Sequence, residues 1–150
     1  MIDAKLPVGS SCRKRPPPST QIDELDKDIP LTTSLYERLG GAQGMPRLVD
    51  DVVAAHLSNP VVKTRFEAVK DLPRLKQLAV EFFSAGSGGA VAYTGRDMLS
   101  THRGMNISEQ EYLAVMDDIV GAMTKNGIGE DAKNEVVAIL YSLKGEIIRV

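Results

Sequence analysis

Two histidines, His56 and His102, and one cysteine, Cys12, are the residues of this 150-residue chain best suited to metal chemistry. A structural zinc site takes four ligands, mostly Cys and His, so these three cannot build one from Cys and His alone. Any imidazole-dependent function must run through His56, His102 or both. A single cysteine cannot form an internal disulfide. Nothing suggests a stapled secreted fold, and the expected location is cytoplasmic. Apolar residues make up 43% of the chain and charged residues 25%, the balance of a soluble globular protein. A net charge of −2 argues against a dedicated nucleic-acid binder, which shows a strong basic excess. No apolar run approaches the roughly 18 residues needed to cross a bilayer, so no transmembrane segment is expected.

The elements that must position the histidines are helical. Composition changes near residue 33. Residues 1–32 hold Arg13-Lys14-Arg15, Pro16-Pro17-Pro18 and an acidic stretch from Asp23 to Asp28. With no apolar periodicity to bury, they read as a flexible, Pro- and charge-rich arm, dispensable for folding. The basic triplet is a solvated cluster before it is a contact for an acidic surface. Gly9-Ser10-Ser11-Cys12 lacks the preceding apolar region of about 7–15 residues that a signal peptide needs.

Residues 33–150 form the domain. Ser34 with Glu37 makes a capping box, and Gly40-Gly41 stops that short helix. Met45, Leu48, Val49, Val52, Val53, His56 and Leu57 recur at helical spacing up to Asn59-Pro60. After a short segment with Phe66, a second stripe runs Leu72, Leu75, Leu78, Ala79, Phe82 and Phe83, with Pro73 acceptable in the first turn. It dissolves into Gly86-Ser87-Gly88-Gly89. A short helical piece spans Arg96 to His102. Ser108 with Glu111 makes a second capping box, with Ile107 stapled on Tyr112, and opens a helix through Met123 that ends at Gly127 and Gly129. The last helix carries Val136, Val137, Leu140, Leu143 and Ile147 on one face. No segment alternates with strand periodicity for long, so the class is all-α. Aromatic residues are only 5% of the chain. Either the core is small and aliphatic, which composition alone favours, or a large flat apolar ligand completes it.

The order of these pieces resembles the group I truncated haemoglobins, the two-over-two α-helical sandwich globins. Ser34-Leu35-Tyr36-Glu37-Arg38-Leu39-Gly40-Gly41 is similar to that family's opening helix and first glycine motif. Gly88-Gly89 with Tyr93-Thr94-Gly95-Arg96-Asp97-Met98 is similar to its second glycine motif and the approach to its proximal helix, and His102 follows at the family's spacing. The resemblance covers residues 34 to 150. It implies a haem b held by burial and by one bond from the imidazole of His102 to a five-coordinate iron, whose other ring nitrogen donates to a carbonyl or carboxylate. It implies Phe66 stacked on the haem, and Leu75, Ala79, Phe82, Phe83, Met98, Tyr112 and Val115 as apolar walls. Lys76, Tyr93 and Arg96 are the implied partners of the two propionates.

The distal side departs from the family pattern. Val53 stands where many members carry a tyrosine and Ala79 where they carry a glutamine, with Leu75 beside it. A donor hydrogen bond to bound oxygen is worth roughly 1.5–3 kcal/mol, so its loss predicts oxygen release faster by about one to two orders of magnitude. His56 lies three residues after Val53 on the same stripe. Its two roles are a helix–helix contact bonded to backbone, which is favoured, and a distal ligand or donor. Members with a sixth ligand usually supply it from the facing helix, where Leu78 stands. Tyr141, Tyr112 and Gln77 are further candidate donors. The expected function is reversible binding of a diatomic gas, O2, CO or NO. The alternatives are redox chemistry on NO, nitrite or peroxide with electrons from a reductase, a haem-based gas or redox sensor, and a haemless interaction module.

Overall fold

The computed structural model describes residues 33–150; the arm expected over residues 1–32 lies outside the described residues. Seven α-helices follow in order among them: α1 Leu35–Arg38, α2 Gly41–Ser58, α3 Lys63–Glu67, α4 Leu72–Gly86, α5 Met98–His102, α6 Glu109–Lys125 and α7 Glu130–Leu143. No strand occurs among the described residues, only one isolated bridge, and no helix is long and apolar enough to cross a membrane.

Local chemistry sets the boundaries. Ser34 Oγ accepts from the Glu37 N–H at 3.2 Å while the Glu37 carboxylate accepts from the Ser34 N–H at 3.1 Å, the reciprocal box the spacing predicts. Gly40 then takes φ +109°, and a Cβ there would stand 2.8 Å from Gly44 Cα. No side chain fits that turn. The following helix starts at Gly41, ahead of its first apolar stripe residue, and holds Pro46 inside it at the cost of one backbone hydrogen bond. Asp71 caps α4 by accepting from the Arg74 N–H at 2.9 Å, with Pro73 in the first turn. Gly86 belongs to α4, and Ser87 ends it by donating from Oγ to the Phe83 carbonyl at 2.6 Å. Gly89 is obligatory for a different reason: a Cβ would fall 2.9 Å from both the Ser84 carbonyl oxygen and the Tyr36 ring.

Two expectations are corrected. The piece expected from Arg96 begins at Met98, because Asp97 is its cap, accepting from the Ser100 N–H at 2.9 Å. The last helix does not carry Ile147. It ends at Leu143, and a 3₁₀ turn over Lys144–Glu146 swings Ile147 inward onto Ile107 and Tyr112. Residues beyond it run alongside the α5–α6 linker: Ile148 bridges Ile107 in parallel, the Arg149 N–H donates to the Ile107 carbonyl and the Gly104 N–H to the Val150 carbonyl, each at 3.0 Å.

The helices form two layers, α2 packed with α4 and α6 packed with α7, with α2 also lying against α6. This is the two-over-two arrangement. Its main apolar core is shared by α1, α2, α6 and α7, around Leu39, Met45, Leu48, Ile119, Met123 and Val136. By contrast α3 and α5 contain no buried residue, and α4 contains only Ser84. Val80 and Phe83 of α4 pack on the main core and Met98 of α5 on a smaller cluster around Ile107, Tyr112 and Ile147, but the apolar residues of α3, α4 and α5 stay only partly buried. Several of them line a cavity.

Candidate functional site

The cavity has a volume of about 400 Å3 and is walled by α2, α3, α4, α5, α6 and α7. It brings together Val53, His56, Phe66, Leu75, Ala79, Phe82, Phe83, Met98, His102, Tyr112 and Val115. Residues from six elements, far apart in sequence, thus converge on one apolar space. Lys76, Tyr93 and Arg96 do not line it. The Lys76 ammonium pairs with Asp50 at 2.8 Å, the Tyr93 hydroxyl donates to the Arg96 carbonyl at 2.7 Å, and Arg96 is exposed. Of the other weighed donors, Tyr141 is 61% exposed and Gln77 donates to Glu81 at 3.1 Å on the surface. Neither lines the cavity, nor does Leu78. Tyr112 does, but its hydroxyl donates to the Leu140 carbonyl.

His102 ends α5, the short helix that Asp97 caps. Its Nδ1 lies 2.8 Å from the Met98 carbonyl oxygen. A carbonyl only accepts, so Nδ1 carries the hydrogen and Nε2 keeps its lone pair. The i to i−4 bond fixes both ring orientation and tautomer, the arrangement a metal-ligating histidine needs.

His56 sits on α2, only 4% exposed. Its ring stacks on Phe66 with centroids 4.4 Å apart and planes 20° from parallel. The expected backbone partner is replaced by a carboxylate: Nδ1 lies 2.8 Å from Asp118 Oδ2 on α6, and Asp118 Oδ1 accepts from the Asn59 side chain at 3.0 Å. Burial lowers the His56 pKa below its ordinary value, against the opposing pull of the Asp118 hydrogen bond and charge.

Three polar residues, Arg65, Glu111 and Asp118, were not recognised as site residues from the sequence. Arg65 and Glu111 line the cavity, joined by Arg65 Nε to Glu111 at 2.8 Å, while Arg65 Nη1 donates to the Met105 carbonyl at 3.0 Å. The Arg65 bond, with the Ser108 N–H bond next, brings Glu111 down to about 2. Glu111 was visible only as a capping-box residue. Nothing in the sequence paired it with Arg65, or Asp118 with His56, since each pair is a long-range contact between helices.

Three facts test whether the cavity fits a large flat apolar group. Its volume lies within the range of about 300–1,000 Å3 typical of small-molecule sites. Its walls are apolar, and Phe66, Phe82, Phe83, Leu75 and Val115 are only half-buried for want of a neighbour on the cavity side. One imidazole on its wall is held with a free Nε2. These residues fit a haem.

The bacterial-like globin family model matches residues 34–149. Among relatives, the group 1 truncated hemoglobin GlbN of Mycolicibacterium paratuberculosis is 29% identical over 114 residues, covering 76% of this chain and 83% of its own length. GlbN of Synechocystis sp. is 27% identical, covering 71% and 89%. Among solved structures, truncated hemoglobin from Tetrahymena pyriformis in its Fe(III) form superposes with a TM-score of 0.75 at 22% identity, over 79% of this chain and all of that one. The 2/2 hemoglobin from Synechococcus sp. PCC 7002, in a cyanomet state with covalently attached heme, gives 0.68 at 27% identity, over 75% and 94%. The chain therefore belongs to the bacterial-like globin family, with the haem-binding fold of the group I truncated globins.

Proposed function

We propose that this chain holds one haem b through His102 as proximal ligand and binds diatomic gases, O2, CO or NO, reversibly. The observation that carries this reading is the His102 ring, anchored at Nδ1 to the Met98 carbonyl on the wall of an apolar cavity of about 400 Å3. When bound, the haem supplies an iron with one coordination position open to a small ligand. The chain's own part is to exclude water and set polarity. Val53, Leu75 and Ala79 would offer a gas no hydrogen-bond donor. Arg65, already on the cavity wall, is a stronger candidate for a propionate than Lys76, Tyr93 or Arg96, none of which lines it.

A second reading, redox chemistry on NO, nitrite or peroxide with electrons from a reductase, draws support from the buried His56 on the same wall. Adding haemin to the purified chain tests the haem reading: a Soret band is expected, and its absence sinks both readings. His102→Ala is expected to lose the five-coordinate ferrous spectrum and most haem retention; an unchanged spectrum would move the proximal ligand elsewhere. Oxygen dissociation measured by CO replacement is expected to be about one to two orders of magnitude faster than in a globin with one distal donor. A slow rate would require a donor other than Val53, Leu75 and Ala79.

A further inference from the structure

The ionisable groups on the cavity wall are Arg65, Glu111, Tyr112, His56 and His102. Four of them already have a partner or a proposed role. Arg65 and Glu111 hold each other, the Tyr112 hydroxyl donates to Leu140, and His102 is assigned to iron. His56 differs. Its Nδ1 faces Asp118, and a carboxylate oxygen accepts, so Nδ1 carries the hydrogen and Nε2 a lone pair. Nε2 has no protein partner, yet among the described residues no buried side-chain nitrogen or oxygen is left unpartnered. The residue is almost closed to the outside at 4% exposure and lines the cavity, the space from which a small molecule could reach it.

We propose that His56, oriented by Asp118, is a general base that takes the proton from a protic small molecule in this cavity, of the hydroperoxide class. A lone pair repels the partial negative charge of bound oxygen but accepts from an O–H. When the molecule is hydrogen peroxide, its O–H bond breaks, an Nε2–H bond forms, and a hydroperoxide anion remains in the cavity. The new positive charge on the imidazole is shared with Asp118, whose side chain is 14% exposed and so connects the ring to solvent for release of the proton. Burial keeps the imidazole in its neutral, accepting form at neutral pH. The assignment rests on the haem reading, because the anion needs an acceptor in the cavity.

Hydrogen cyanide is the probe, since it is protic, small and must lose its proton to bind ferric haem. CO needs no proton transfer. Association rates of both are measured by stopped flow on the full-length haem-loaded chain, on His56→Gln and on Asp118→Asn, the second variant preserving shape if the first folds poorly. General bases contribute roughly 10²–10⁴-fold, so the ratio of cyanide to CO rates is expected to fall at least tenfold in His56→Gln and at least threefold in Asp118→Asn. In the ¹⁵N-histidine-labelled, CO-bound wild type, the His56 ring is expected to show a hydrogen on Nδ1 and a bare Nε2. Smaller falls in either ratio, or a hydrogen on Nε2, would overturn the assignment while the haem reading stands. No Soret band at all would overturn both.

Discussion

The two imidazoles differ in what holds Nδ1, and that difference sets their chemistry. A neutral carbonyl at 2.8 Å orients His102, whereas a carboxylate at the same distance orients His56 and can share a positive charge. The cavity's ionisable groups also make stability acid-sensitive. His56 is depressed below its ordinary value of 6.5 by burial, so the unfolded chain binds the proton more readily and stability falls as pH drops from 6.5. Glu111 is depressed from 4.5 to about 2 by Arg65 and the Ser108 backbone. Its contribution is complete above pH 4.5 and is lost as pH falls towards 2. Urea midpoints at pH 7.5, 5.5 and 3 are expected to decline in two stages, with His56→Gln removing the upper stage and Glu111→Gln the lower. A single stage untouched by either substitution would assign the acid sensitivity to other groups.

At the scale of elements, α5 carries the most on the least: its five residues present His102, and Asp97 is its only side-chain cap. Asp97→Ala is expected to weaken α5 by the ordinary worth of an N-cap, which converts to about fivefold faster haem loss if that loss requires α5 to fray. Transfer to apomyoglobin measures it, and an unchanged rate would mean α5 is held by packing instead. The helices were largely legible because each stripe carries its own period and Ser34 and Ser108 mark two starts with capping boxes; Asp71 and Asp97, which cap α4 and α5, were not read as caps, and α2, α3 and α7 start without a side-chain cap. The cavity was legible as a set of residues only through the family resemblance. The Arg65–Glu111 and His56–Asp118 pairs were not, because spacing along one helix says nothing of which residue on another will face it. Ile147 was misplaced for a similar reason: its register continues the stripe of α7 and gives no sign of the 3₁₀ turn. Lys133, 8% exposed on the inner side of α7 with its ammonium on Glu130 and Thr124, also defies the pattern that predicts only apolar residues there.

For residues 33–150 taken whole, packing is uneven. One part has a closed core around Met45, Leu48 and Met123, and the other, α3 to α5, has apolar faces open to the cavity. A ligand that binds only the folded state stabilises it by mass action, and here the gain should be concentrated in the open part. Hydrogen exchange with and without haem is expected to show protection rising most in α4 and α5 and least in α2 and α6; uniform protection would contradict this division. A chain reduced to residues 33–150 is expected to keep the haem spectrum of the full chain, and loss of the spectrum would make the first 32 residues part of the fold. The pairing of residues 148–150 with residues 104–107 bears on biosynthesis. The loop just after His102 is clamped by a segment that the ribosome makes more than 40 residues later. Under the haem reading, the cofactor is expected to be locked in only after residues 148–150 have been made and have paired with residues 104–107.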